Sequence, residues 1–215
     1  ELTKEHLAGK VMVVFGGSSG IGKCIADLAI TNDVKVYSFS RTQNNIDISQ
    51  LEAVKKALKH VFDIEDKIDF MVNTAGVLHK EPLATMDYQT ICESINTNYF
   101  GMINIAIASL PYLKKSKGRL LFFTSSSYTR GRAFLSIYSS AKAATVNFVQ
   151  AISQEWETFG IKVNCINPER TKTAMRIKNF GNEPEPGLLK PELVALRSIQ
   201  TLVSGYTGQV IDVRL

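Results

Sequence analysis

Short apolar runs alternate with longer amphipathic stretches along the whole chain. The runs at 10–15 (KVMVVF), 34–39 (VKVYSF), 68–72, 118–124, 161–166 and 209–213 are rich in β-branched and aromatic residues. Such uninterrupted runs suit strands buried on both faces of a parallel sheet. A further apolar piece at 46–48 brings the expectation to about seven strands. Helical periodicity predicts helices over 21–31, 49–62, 88–110, 136–159 and 191–203. Ser49 is placed to cap the second of these, and Pro111 is expected to break the third. The stretch 167–188, rich in Pro and Gly, reads as a loop. Strands alternating with helices imply an α/β fold, a doubly wound parallel β-sheet with helices on both faces. No internal linker or repeat interrupts the pattern, so 1–215 is expected to be one domain.

Charge and composition narrow the function. The chain of 215 residues carries a net charge of +5, a mild preference for anions. No arginine-rich arm points to nucleic acid, and a phosphorylated small molecule or cofactor is enough to account for the excess. There is no apolar run long enough for a membrane span and no signal peptide. Cys24, Cys92 and Cys165 have no metal-ligand spacing. They read as buried thiols of a reducing compartment, the cytoplasm. His6, His60 and His79 form no cluster, so no metal site is expected. The first residue is Glu1 rather than Met, which suggests a chain processed, trimmed or cut from a longer one.

The first apolar run stops at Gly16, and GGSSGIG (16–22) opens the first helix. A strand, a glycine-rich turn and a helix start form an anion site, with backbone amides and the helix dipole facing the ligand. Glycines at 16, 20 and 22 permit tight turning and close approach to a pyrophosphate, as in Rossmann folds. The second run ends in Ser40 and Arg41, where such folds meet the adenosine ribose. An acidic residue there would repel a 2′-phosphate, whereas the Arg41 guanidinium suits one, so NADP is preferred to NAD. Farther along, Tyr138 and Lys142 are four residues apart and share a helix face. Ser125 ends the strand run before them. An ammonium beside a phenol favours the phenolate and lowers its pKa from near 10, making it a usable general acid or base. Asn98 sits inside a helical stretch, where a polar amide needs a partner.

Taken in order, Phe15-Gly16-Gly17-Ser18-Ser19-Gly20-Ile21-Gly22, Asn73-Thr74-Ala75-Gly76, Asn98, Ser125, Tyr138, Lys142 and Asn167-Pro168 resemble the motifs of the short-chain dehydrogenase/reductase family over essentially the whole chain. The resemblance implies that Tyr138 protonates a carbonyl oxygen while NADPH delivers hydride to the carbon. It implies that Ser125 orients that oxygen, although Ser126 and Ser127 are adjacent and the choice rests on spacing. Lys142 would lower the Tyr138 pKa and bind the nicotinamide ribose, and Asn98 would hold a water on the proton path. Cofactor contacts would come from Gly16, Ser18, Ser19, Gly20, Ile21, Gly22, Ser40, Arg41, Asp47, Asn73, Ala75, Gly76, Pro168, Thr171 and Thr173, with Tyr138 and Lys142. Members are usually dimers or tetramers, which the long helices permit here.

Three departures from the family pattern stand out. Phe15 replaces the usual threonine, removing a local hydrogen bond. The helix between the second and third strands shrinks to 42–45, which weakens the assignment of Asp47 to the adenine. The usual Pro-Gly is Pro168-Glu169. The two loops expected around the substrate, TRGR with Arg130 and Arg132 and ERTKTAMRIK with Arg170, are strongly basic. Arginines there suit a phosphate better than an acyl chain.

Asn167-Pro168-Glu169-Arg170-Thr171 also looks like the reductase portion of bifunctional ribulose 5-phosphate reductase/CDP-ribitol pyrophosphorylases. Those enzymes carry an N-terminal cytidylyltransferase domain and supply CDP-ribitol for capsule or cell-wall polymer. The expected activity is NADPH-dependent reduction of a phosphorylated ketose. Two alternatives remain at this point: reduction of another ketone such as a 3-oxoacyl thioester, or a non-catalytic NADP-binding sensor or scaffold.

Overall fold

A computed structural model describes residues 4–215. Six strands, β1 (Val11–Phe15), β2 (Lys35–Phe39), β3 (Phe70–Asn73), β4 (Arg119–Phe123), β5 (Lys162–Pro168) and β6 (Val210–Val213), form one sheet. Their order is β2-β1-β3-β4-β5-β6 and every pairing is parallel. The count is six rather than seven because the apolar piece at 46–48 pairs with no strand. Ile48 is buried instead against Gly101, and its carbonyl accepts from Asn104 Nδ2 at 2.9 Å.

The strands carry apolar side chains on both faces, and their alternation sorts them into two cores. Val11, Val13, Phe15, Met71, Phe122 and Val163 pack with α3 (Leu51–Glu65), α5 (Gly101–Ser116) and α6 (Ser136–Glu155). Met12, Val14, Val72, Leu121 and Ile166 pack with α1 (Gly20–Ile30) and α8 (Pro191–Val203). One-residue alternation of this kind follows from the period of two of a strand, and burial on both sides is why the runs read as continuous. Among the described residues no helix is long and apolar enough to cross a membrane.

Several boundaries differ from the expectation. Ser49 does not cap α3; Gln50 precedes the helix, and Asp47 Oδ1 takes the Ser49 amide at 2.9 Å. Ser40 instead caps a single-turn helix, α2 (Arg41–Asn44), by accepting from the Gln43 amide. The stretch 88–110 is α4 (Tyr88–Ile95), a π-helical turn Asn96–Phe100, and α5, which runs through Pro111 to Ser116. Pro111 is exposed, so water can serve the carbonyl it leaves unpaired. The loop 167–188 contains α7 (Ala174–Phe180), capped by Thr173 Oγ1 on the Arg176 amide at 3.3 Å. Only Cys165 of the three cysteines is buried; Cys24 and Cys92 are half-buried.

The chain leaves β1 for β2 on one side and then crosses to β3 on the other. That reversal opens a crevice at the carboxyl ends of β1 and β3, where open α/β sheets bind ligands. The turn at its floor is very tight. Gly16 has φ +84°, and a Cβ there would lie 2.5 Å from the Ala75 nitrogen. A Cβ on Gly22 would lie 2.2 Å from Thr74 Oγ1 and 2.3 Å from the Gly16 carbonyl oxygen. Phe15, where the family has threonine, does not leave this junction unbound. Its carbonyl accepts both the amide and the hydroxyl of Thr74, at 2.8 and 3.0 Å, and its ring packs on Phe39. Gly22→Ala is therefore expected to lose about 1–3 kcal/mol of stability from overpacking. Urea unfolding checks this, and a midpoint equal to wild type would contradict the packing described.

Candidate active site

The Ser125–Tyr138–Lys142 group assembles where β4 meets α6. β4 ends at Phe123, which places Ser125 just past the sheet edge, and Leu135 opens α6 so that Tyr138 lies in its first turn. Lys142 follows one turn later and is buried. Its ammonium donates to the Phe123 carbonyl at 2.9 Å, and Thr124 Oγ1 donates to the Lys142 carbonyl at 2.7 Å. The strand end and the helix are thus tied together across the loop. Lys142 Nζ stands 5.6 Å from the centre of the Tyr138 ring. Ser125 is the one of the three serines that reaches Tyr138. Ser127 Oγ donates to Ser125 Oγ at 3.2 Å, which leaves the Ser125 hydrogen to the Tyr138 oxygen or to a ligand.

Burial dominates the electrostatics. It raises the Tyr138 pKa above its ordinary value, while the Ser125 hydroxyl and the Arg176 charge pull it down less strongly. Burial likewise lowers the Lys142 pKa to about 8. This reverses the expectation that Lys142 brings the Tyr138 pKa down: the phenol keeps its proton at neutral pH. The lysine's ammonium is engaged by the Phe123 carbonyl rather than by the phenol.

One cleft of about 820 Å³ joins this group to the glycine turn. Gly16, Ser18, Ser19, Gly20, Ile21 and Gly22 line its floor, Ser40, Arg41 and Asp47 one end, and Ala75 and Gly76 the middle. Ser125, Tyr138, Lys142, Pro168, Thr171, Thr173, Arg132 and Arg170 line the other end. Three expected residues lie outside its wall. Asn73 sits behind it, accepting the Ala75 amide at 3.1 Å. The Asn98 side chain clasps the Val77 backbone, donating to its carbonyl at 2.8 Å and accepting its amide at 3.0 Å. Its side-chain groups therefore hold the loop after β3. Arg130 is exposed and outside the cleft.

The structure also adds residues. Thr74 lines the cleft within a motif whose neighbours alone were singled out. Lys80, Met175, Arg176 and Phe180 close the substrate end. Arg176 belonged to a run noted as basic, but its place in the cleft depends on α7, which the loop reading missed. Arg41 is half-exposed and pairs with Glu93 at 3.2 Å; Glu93 also lies 3.3 Å from His79 Nε2.

A glycine turn at the switch point of an open parallel sheet, joined by one cleft to a half-buried Tyr and a buried Lys, defines a Rossmann-type oxidoreductase. The chain belongs to the short chain dehydrogenase family, whose profile matches residues 10–184. It is 53% identical over 206 residues to the bifunctional ribulose 5-phosphate reductase/CDP-ribitol pyrophosphorylase Bcs1 of Haemophilus influenzae; the match takes in 96% of this chain and 43% of that protein. The chain thus spans less than half the length of that relative. A 3-oxoacyl-[acyl-carrier-protein] reductase FabG of Vibrio cholerae is 27% identical, over 79% of this chain and 77% of its own. In structure, a 3-ketoacyl-(acyl-carrier-protein) reductase from Brucella melitensis, crystallised with NADH, superposes with a TM-score of 0.90 at 24% identity, covering 96% of this chain and 97% of its own.

The buried lysine should leave a mark on stability. A base whose pKa is lowered on folding penalises the fold fully below the lowered value and releases that penalty as pH rises to the unfolded value. For Lys142 the window runs from about 8 to the ordinary 10.5. Lys142→Met should accordingly unfold at a higher temperature than wild type at pH 7, by an amount worth about 1–3 kcal/mol. The gap should narrow above pH 8. Thermal melts across pH 6–10 check it, and a gap that widens with pH would contradict the assignment.

Proposed function

We propose that this chain is an NADPH-dependent reductase of a phosphorylated ketose, converting ribulose 5-phosphate to ribitol 5-phosphate. The observation that carries the reading is the cationic wall at the reacting end of the cleft, where Lys80, Arg132, Arg170 and Arg176 surround the approach to Tyr138. The similarity to the Haemophilus influenzae enzyme, whose name states ribulose 5-phosphate reduction, supports it. An acyl-chain reductase would place apolar groups there, so the 3-oxoacyl alternative is disfavoured. The sensor alternative gives no reason for setting a tyrosine beside a serine and a buried lysine in the cleft wall.

The cleft fits a nicotinamide dinucleotide. Its glycine floor presents backbone amides at the start of α1, and its length runs from Arg41 to Tyr138. The dinucleotide, when bound, supplies the hydride. Everything else falls to the chain. The Ser125 hydroxyl, relieved by Ser127, donates a hydrogen bond to the substrate carbonyl oxygen. Tyr138, held protonated by burial, gives that oxygen its proton. Lys142, one turn on in the cleft wall, would hold the nicotinamide ribose, and Asn98 keeps the loop after β3 in place beside it. Thr173 and Pro168 border the same end. Arg41 takes a 2′-phosphate: its present bond to Glu93 is exposed and worth at most about 1 kcal/mol, so little opposes the exchange. As part of a longer cytoplasmic enzyme, the domain would feed ribitol 5-phosphate to a covalently joined cytidylyltransferase, with CDP-ribitol for capsule polymer as product. Self-association through α4, α5 and α6 accompanies this reading.

Turnover is followed as loss of NADPH absorbance with ribulose 5-phosphate and, in parallel, with unphosphorylated ribulose. Rapid oxidation with the phosphate ester alone is the expected result; equal rates with both sugars would defeat the substrate assignment. Tyr138→Phe should lower kcat at least about 10³-fold while NADPH still binds, and a variant that keeps its rate removes Tyr138 from the chemistry. Arg41→Asp should shift the cofactor preference from NADPH towards NADH by about 10-fold or more. An unchanged preference in competition assays would sink the role given to Arg41.

A further inference from the structure

The substrate end of the cleft contains a charge imbalance. Arg176, on α7, donates through Nε and Nη2 to the two carboxylate oxygens of Glu183, at 2.6 and 2.9 Å. Arg170 Nη1 lies 3.9 Å from the same carboxylate, and Lys80 also acts on it. Three cations converge on this carboxylate; Glu169 also lines this end of the cleft, and with Arg132 the cations there outnumber the carboxylates. Both Arg176 and Lys80 lie over the Phe180 ring, 4.4 and 4.8 Å from its centre.

The geometry of Arg176 is one-sided. Glu183 occupies the Nε–Nη2 edge of the guanidinium, which is planar and offers five N–H donors in a fixed fork. Nη1, with both its donors, has no partner among the described residues. The side chain is only 20% exposed and lines the cleft. Its charge acts on Tyr138, which places it on the reacting side of the wall. Arg170, by contrast, is 60% exposed, Arg132 is exposed at the rim, and Arg130 is outside.

We propose that Arg176 is the residue that recognises the substrate's phosphate, through the guanidinium edge that Glu183 leaves free, and that Glu183 is a positioning residue that holds the fork in place. A phosphate monoester carries about −1.5 to −2 charges near neutral pH, which suits the excess of cations at this end of the cleft. Arg170 and Lys80 supply the remaining positive field. The inference rests on the phosphoketose reading above and specifies which side chain carries it. Sequence spacing pointed to Arg130, Arg132 and Arg170; the fold moves the decisive position to Arg176.

The test is the ratio of kcat/KM for ribulose 5-phosphate to that for ribulose, measured for wild type, Arg176→Met and Glu183→Gln. NADPH binding by fluorescence reports that each variant is folded. For Arg176→Met the ratio should fall about 10- to 100-fold, the range for losing a charged hydrogen-bond pair. For Glu183→Gln it should fall less, through a higher KM for the phosphate ester at nearly unchanged kcat. A wild type without preference for the phosphate ester removes the substrate reading itself. A preference that is present in wild type and survives Arg176→Met leaves that reading standing and overturns the role of Arg176. Should Arg176→Met fail to bind NADPH, Glu183→Gln decides: a loss confined to the phosphate ester supports the proposal, and equal loss on both sugars, or none, overturns it.

Discussion

The contact between the turn after β1 and the loop after β3 is the constraint on which the site depends. Gly16 and Gly22 press against Thr74 and Ala75 so closely that neither position has room for a Cβ. Thr74 binds the Phe15 carbonyl twice across the same junction. Because β1 and β3 are neighbours at the point where strand order reverses, this junction sets the floor of the crevice and the direction in which α1 leaves it. The backbone amides that face an anion there are positioned by packing, and the absence of side chains at two glycines makes the packing possible. A threonine from the neighbouring loop replaces the one that the family pattern places at Phe15.

At the other end of the cleft the governing effect is burial. Lys142 is held between the Phe123 carbonyl and the core, and Tyr138 is enclosed one turn before it. Low polarity works against the charged form of each group, so the phenol is kept protonated and the ammonium is made easier to discharge. The π-helical turn at Asn96–Phe100 belongs to the same arrangement. It lets the Asn98 amide face the backbone of Val77, and so fixes the loop that runs beside Gly76 and Lys142.

Two arginines in the cleft have carboxylate partners: Arg41 pairs with Glu93, 52 residues on, and Arg176 with Glu183, seven residues on. The pairs differ in kind. The first is a single contact between half-exposed groups, open to solvent and weakly held. The second is a two-pronged bond that fixes the plane of the guanidinium and leaves its far edge to the cleft. Residues of the same type, equally visible as basic letters, thus serve different purposes according to which edge their partner occupies.

The sequence by itself determined the α/β alternation, the six strand positions to within a residue or two, and the ordered motifs from Gly16 to Lys142. Periodicity and turn residues act locally, and those signals survive in a linear reading. The limits of α8 were read off in full, since Pro191 starts it and its apolar face is regular. Tertiary structure decided what depended on distant partners. Within the piece at 46–48, Ile48 became a buried plug against Gly101 rather than part of a strand, with its carbonyl taken by Asn104 from α5. The long helix continued through Pro111 and was distorted at Asn98 instead, where Val77 competes for the side chain. α7 formed in a stretch whose Pro and Gly content suggested a loop, capped by Thr173 and closed over the cleft by the bond to Glu183. That helix, and with it the place of Arg176, is held by a cap and an ion pair that the Pro and Gly content of the stretch conceals.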